Sequence, residues 1–145
     1  MTIETAKVRE FMTAFGQRTP LHPEMPDGET QRLRWLLISE EAKELADANN
    51  LTEYLDAVGD LLYVVIGAGI AAGFDAELME DAIAEIHTSN MTKFWMAEEV
   101  EKIPANWKAA AIGNGSFIVR DATGKIRKSP SYRPANLKPL LPKSK

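Results

Sequence analysis

Val8, Phe11, Met12 and Phe15 fall at i, i+3, i+4 and i+7, the period of an amphipathic helix. The spacing predicts a helix from about Thr2 to Phe15, stopped at Gly16. Pro20, Pro23 and Pro26 with Asp27-Gly28 mark a loop. A second helix is predicted from about Glu29 to Ala48, with Leu33, Leu36 or Leu37, and Leu45 as its apolar stripe and Asn49-Asn50 as its break. Thr52 is the expected N-cap of a third helix reaching Ala72. From Leu61 onward that helix is apolar around most of its circumference, so burial on several sides is expected. Gly67, Ala68, Gly69, Ala71, Ala72 and Gly73 would let another backbone approach, and the glycines, being poor helix formers, call for a packing reason. Asp75 caps a fourth helix to about Phe94, with Leu78, Met79, Ala82, Ile83 and Ile86 inward.

Beyond Trp95 the pattern changes. Glu98 to Glu101 suits one more helical turn, and Ser116 to Arg120 with Lys125 to Arg127, separated by Asp121-Ala122-Thr123-Gly124, reads as a short β-hairpin. Pro130, Pro134, Pro139 and Pro142 make the end extended and irregular. The fold class that follows is all-α, a four-helix domain over residues 1–100 with a C-terminal extension, 101–145, of hairpin and tail.

The chain has 145 residues and no cysteine, which excludes disulfides and zinc–thiolate centres. Two histidines, His22 and His87, do not make a histidine-rich metal site, so any metal is a hard cation held by oxygen. The start lacks a signal-peptide layout, and the apolar run Leu61 to Phe74 is shorter than the ~20 residues that span a bilayer. A soluble cytoplasmic protein is expected. The net charge of −4 is unevenly spread: residues 1–101 hold 20 acidic and 7 basic side chains, residues 102–145 one acidic and 10 basic. A basic tail on an acidic body suits an anion-binding flap, internal charge matching or a solvated segment.

Glu40 lies about 40° and Glu41 about 60° from Glu44 around a helix at ~100° per residue, so all three can face one side, and Asp56 and Asp60 are one turn apart on the next helix. If the two helices pack antiparallel, these groups converge and repel unless a cation sits among them. Mg2+ would take some of them and keep water for substrate phosphates; Mn2+ is the alternative. Acids on helix surfaces are also commonplace, and Glu-Glu-Ala-Lys-Glu equally suits a solvated, helix-favouring stretch. Asp60, directly before Leu61-Leu62-Tyr63-Val64-Val65, is harder to explain by solvation alone.

Glu40-Glu41-x-x-Glu44 followed by Asp60-Leu-Leu-Tyr-Val resembles the all-α nucleotide pyrophosphohydrolases, among them MazG, the dimeric dUTPases and phosphoribosyl-ATP pyrophosphohydrolase. His87-Thr-Ser-Asn90-Met-Thr-Lys93, Asp121-x-x-Gly124-Lys125, Lys128-Ser-Pro and Tyr132-Arg133-Pro134-Ala135 are similar to segments of the short MazG-like members, many of them phage-encoded. The resemblance implies a MazG-like bundle and hydrolysis of a nucleoside triphosphate between the α and β phosphates. Its motif, Glu-x-x-Glu then Glu-x-x-Asp, implies Glu41, Glu44 and Asp60 as metal ligands. Ala57 stands where the family often has Glu; Asp56 is the first candidate replacement and Glu53 the second.

Glu40 is assigned to a second metal or to taking the proton from the attacking water, a role it could exchange with Glu41. Asn90 and Lys93, with Lys125, Lys128 and Arg133 from the tail, are the substrate-binding candidates; a polar last helical turn and a solvated tail are the plain alternatives. His87 reads as structural or exposed, and Trp35, Trp95 and Trp107 as packing before base stacking. The expected partners are a nucleoside triphosphate and further copies of the chain, as homodimer or tetramer with the small-residue third helix as interface. Neither membrane nor nucleic acid is expected. The rival readings are phosphoribosyl-ATP hydrolysis, a helical module binding nucleic acid through its basic tail, and a dimerisation protein whose acids are merely solvated.

Overall fold

A computed structural model describes residues 3–143. The chain divides into two compact units, Met1–Glu80 with Leu141–Lys145, and Asp81–Leu140.

The first unit is helical. α1 (Thr5–Ala14) buries Val8 and Met12 and leaves Phe11 and Phe15 exposed. Gly16 ends it as expected, at φ +70°, the left-handed conformation that glycine adopts freely. Its predicted start at Thr2 lies outside the described residues. α2 (Gly28–Asp47) is capped by Asp27, whose carboxylate accepts from the Thr30 N–H at 2.8 Å. α3 (Leu51–Ala71) follows after three residues, a connection short enough to return it antiparallel along α2. Its N-cap is Asn50, not Thr52: Asn50 has the extended backbone a cap requires and accepts from Glu53 N–H at 2.9 Å. Val8, Met12, Ile70 and Ala71 form the core, with Ile66 against it.

The apolar faces correct the pattern reading. Leu33 and Leu36 of α2 are exposed, and the buried side of that helix carries Arg34. Leu62, Tyr63 and Val65 of α3 are also exposed, so its middle is covered on one side only among the described residues, whereas Ile66 to Ala71 are all buried or half-buried, as expected of that end. The small residues do have the packing reasons sought. Gly67 faces Arg34, Gly69 faces Met79, and Gly73, at φ +75°, lies against the His22 carbonyl. By length and composition alone α3 could cross a membrane, because the helix begins at Leu51 and runs for 21 residues, with a stretch of 18 whose mean hydropathy is 1.5, rather than the shorter run from Leu61. It also carries Glu53, Asp56 and Asp60.

α4 (Ala76–Asn90) is capped by Asp75, which accepts from Leu78 N–H at 2.8 Å. Leu78, Met79 and Ala82 are half-buried, while Ile83 and Ile86 are exposed, against expectation. The helix stops at Asn90, and a tighter 3-10 turn, Met91–Lys93, takes the place of its predicted last turn.

In the second unit a 3-10 stretch, Ala97–Lys102, occupies the turn foreseen near Glu98. A three-stranded antiparallel sheet follows in place of a simple hairpin. β1 (Trp95–Met96), β2 (Lys108–Ala111) and β3 (Ser116–Arg120) are ordered β1-β3-β2. β3 pairs with Lys108–Ala111, whose alanines gave no strand signal, and Lys125 to Arg127 contributes only a bridge between Arg120 and Ile126. The tail is fastened rather than loose. Arg127 N–H donates to Val119 O at 2.8 Å, Trp95 Nε1 donates to Arg127 O at 2.9 Å, and Ser89 Oγ donates to Arg133 O at 2.7 Å.

Candidate active site

The antiparallel α2–α3 pair sets Glu40, Glu41 and Glu44 of one helix near Asp56 and Asp60 of the other. Glu41 is the centre of this group. Its carboxyl is held above the ordinary carboxylate range, first by burial and then by the charges of Glu44, Asp60, Glu40 and Asp56. Its Oε2 atom is buried with no hydrogen-bond partner among the described residues. The other four acids are exposed. Among the described residues no three acids or histidines stand close enough to form a ready-made metal centre. Mutual repulsion gives the exposed carboxylates reason to splay.

The donor set nevertheless fits a hard divalent cation: oxygens only, several formal negative charges, and one buried oxygen lacking a partner. Glu53 Oε2 accepts from Asn49 N–H at 2.9 Å, beside the α3 N-terminus. Ala57 is buried at the helix contact. Asp56 shares a cleft of about 230 Å³ with Glu44, Asp47 and Glu53.

Arg34 is the functional candidate that pattern reading missed. A charged residue inside an apolar stripe looks like an ordinary surface position, yet Arg34 is only 7% exposed. Its Nη2 donates to Gln17 Oε1 at 2.7 Å, and its Nε has no partner among the described residues. It lines a cavity of about 200 Å³ together with Phe11, Gln17, Leu37 and Tyr63. Its spacing of seven from Glu41, two helical turns, was the signal available in the sequence.

In the second unit, Lys93, Lys125 and Lys128 come together around a cavity of about 410 Å³ with Trp107, Arg127 and Tyr132. Arg127 lies over the Trp107 ring at 4.6 Å and Lys128 over Tyr132 at 5.1 Å. Asn90 lines a separate, largely apolar cavity with Lys93, Phe94 and Ile118. Arg133 lines neither; its guanidinium is paired with Glu85 at 2.9 Å. His87 is exposed, Trp95 is buried and Trp35 is 65% exposed.

The family model described as phosphoribosyl-ATP pyrophosphohydrolase matches residues 8–90, more than half of the chain. The chain belongs to the phosphoribosyl-ATP pyrophosphohydrolase family. It is thereby a member of the all-α NTP pyrophosphohydrolase superfamily, whose enzymes are hydrolases of phosphoric anhydride bonds. All five acids and Arg34 lie inside the matched segment, whereas the basic cavity of the second unit draws on residues after it. The chain is also similar to "Uncharacterized protein L479" of Acanthamoeba polyphaga mimivirus, 52% identical over 52 residues, a match spanning 34% of this chain and 21% of that protein.

Proposed function

We propose that this protein hydrolyses the α–β phosphoanhydride bond of a ribo- or deoxyribonucleoside triphosphate, releasing the monophosphate and pyrophosphate, in a Mg2+-dependent reaction. The observation that carries this reading is Glu41, its buried oxygen unpartnered and four further carboxylates raising its pKa. Glu41, Glu44, Asp60 and Asp56 would hold the metal. When bound, Mg2+ (or Mn2+) neutralises phosphate oxygens as charge develops at the reacting phosphorus. Glu40 takes a proton from the attacking water, whose oxygen bonds to the α-phosphorus as the bridging oxygen leaves with pyrophosphate. Lys93, Lys125 and Lys128 supply cationic donors to a polyphosphate, and Asn90 and Arg133 stand as further substrate contacts once Arg133 is released from Glu85.

Residues 1–100 act in this reading as the catalytic domain and 101–145 as its extension. The exposed Leu55, Leu62 and Val65 of α3 suit burial against a second copy, in a homodimer or tetramer working in the cytoplasm. The family description favours one second reading, phosphoribosyl-ATP as the substrate, with the same bond broken.

The test is incubation with each NTP and dNTP and with phosphoribosyl-ATP, with and without Mg2+, and chromatography of the products. Monophosphate and pyrophosphate formed from triphosphates only with metal support the first reading. Turnover of phosphoribosyl-ATP alone moves the assignment to the second, and no turnover of any substrate rejects both.

A further inference from the structure

We propose that the cavity between α1, α2 and α3 receives the nucleobase of the substrate, and that Arg34 reads a ring carbonyl on it, so that the chain discriminates against adenine. The inference rests on the nucleotide-hydrolase reading and adds to it the class of base selected.

A guanidinium carries five N–H donors and no acceptor. Arg34 spends one donor, on Gln17, although it is buried. A buried charged group with so few partners is costly unless another partner arrives. The fold nevertheless keeps room for it: a Cβ at Gly67 would stand 2.8 Å from Arg34 Nη1. Gln17 must turn its carbonyl to a donor-only neighbour, which leaves its amide N–H groups as further donors. Arg34 and Gln17 therefore offer hydrogens and call for acceptors.

The walls suit a flat ring. Phe11 and Tyr63 meet edge to face with centroids 5.8 Å apart, and both are partly exposed, so they form the mouth of the cavity. At about 200 Å³ the cavity has room for a heterocyclic base but not for a nucleotide with its phosphates. The phosphates must then lie outside, and α2 supplies the direction. Arg34 and Glu41 share one face of that helix, about 10 Å apart along its axis. Asp60 is likewise about one turn from Tyr63 on α3. Arg34 Nε and Glu41 Oε2 are the two buried side-chain atoms without partners among the described residues. One lacks an acceptor, the other a donor or cation.

Guanine, cytosine, uracil and thymine each carry a ring carbonyl, and adenine carries none. An Arg aimed at a carbonyl edge loses its partner with adenine, and a buried donor left unpaired is penalised.

The test is ligand-observed NMR titration of GMP, CMP, UMP and AMP into the metal-free wild-type protein and Arg34→Met, beside the hydrolysis panel. In the wild type, AMP is expected to bind at least ~10-fold more weakly than the other three, the size of one unpaired hydrogen bond. Arg34→Met is expected to bring all four to the AMP level. Equal binding of AMP by the wild type, or an unchanged order in Arg34→Met, overturns the inference. Should Arg34→Met unfold, Gln17→Leu is expected to narrow the same gap, and a gap that stays the same overturns it. Selective monophosphate binding without hydrolysis would reject the proposed reaction and keep the base site. Hydrolysis with no base order dependent on Arg34 would do the reverse.

Discussion

Gly67 of α3 stands directly over the Arg34 guanidinium of α2, leaving a methyl group no room at ordinary contact distance. Gly67→Ala gains up to about 1 kcal/mol of helix propensity. It also displaces a buried guanidinium from its Gln17 hydrogen bond, at about 1–3 kcal/mol. The two nearly offset, so the melting temperature should fall by a few degrees at most, while base selectivity changes as in Arg34→Met. Gly73→Ala is the contrasting case, since its positive φ strains any Cβ and the group it would overlap is the His22 backbone carbonyl. A loss of more than about 3 kcal/mol is expected there. Denaturant melts of the two variants separate the cases, and equal losses would mean that Arg34 does not yield as described.

Glu44→Gln and Asp60→Asn each remove one charge from the group around Glu41. Repulsion falls, so neither variant should melt below the wild type in metal-free buffer. Turnover should drop by at least ~100-fold, since each change removes a proposed metal ligand and with it charge stabilisation in the transition state. The companion measurement is the Mg2+-dependent rise in melting temperature, expected in the wild type and reduced in both variants. Full activity in both would rule out the assigned ligand set.

The helices and these acids were legible because helical period and one-turn spacing are local properties of a sequence. Asp27, Asp75 and Gly16 punctuate the chain as their chemistry dictates. Arg34 was not legible, because only packing against Gly67 and Gln17 turns that position inward, and pattern alone treats arginine as a surface residue. β2 was hidden for a related reason. Lys108–Ala111 has weak strand propensity, and it becomes a strand by pairing with β3, a contact between segments that neither composition reveals. The exposed apolar side chains of α3 and α4 carry the opposite lesson: hydrophobic periodicity marks faces that seek cover, not what covers them.

Truncation at residue 116 would be a poor test of the tail, because β3 is the central strand of the sheet and Val119 is fully buried. Point changes are cleaner. Lys125 and Lys128 are exposed at the rim of the basic cavity. Lys125→Met with Lys128→Met should leave stability within about 0.5 kcal/mol of the wild type. If the cavity receives substrate phosphates, KM should rise roughly 10-fold, each exposed charge contact being worth up to about 1 kcal/mol, with a smaller change in kcat. Steady-state kinetics decides it, and an unchanged KM would leave these lysines outside the substrate path.

Glu99 supplies a pH-dependent anchor for the same segment. Its buried carboxylate accepts from Met96 N–H at 2.9 Å and from Ser131 N–H at 3.1 Å, tying the loop after β1 to the tail. The Met96 hydrogen bond, followed by those of Ser131, holds its pKa below the ordinary glutamate value, and Lys102 adds to the effect. The unfolded chain therefore binds the proton more tightly than the folded one, and stability rises with pH across that interval. The contribution is complete above the ordinary glutamate value and is lost as pH falls through the depressed folded one. Glu99→Gln keeps the shape but replaces charge-assisted hydrogen bonds with neutral ones, at about 1–2 kcal/mol near pH 7. Urea melts of wild type and variant should differ by that amount at neutral pH and converge in acid. A gap independent of pH would mean that the carboxylate acts through its shape and not its charge.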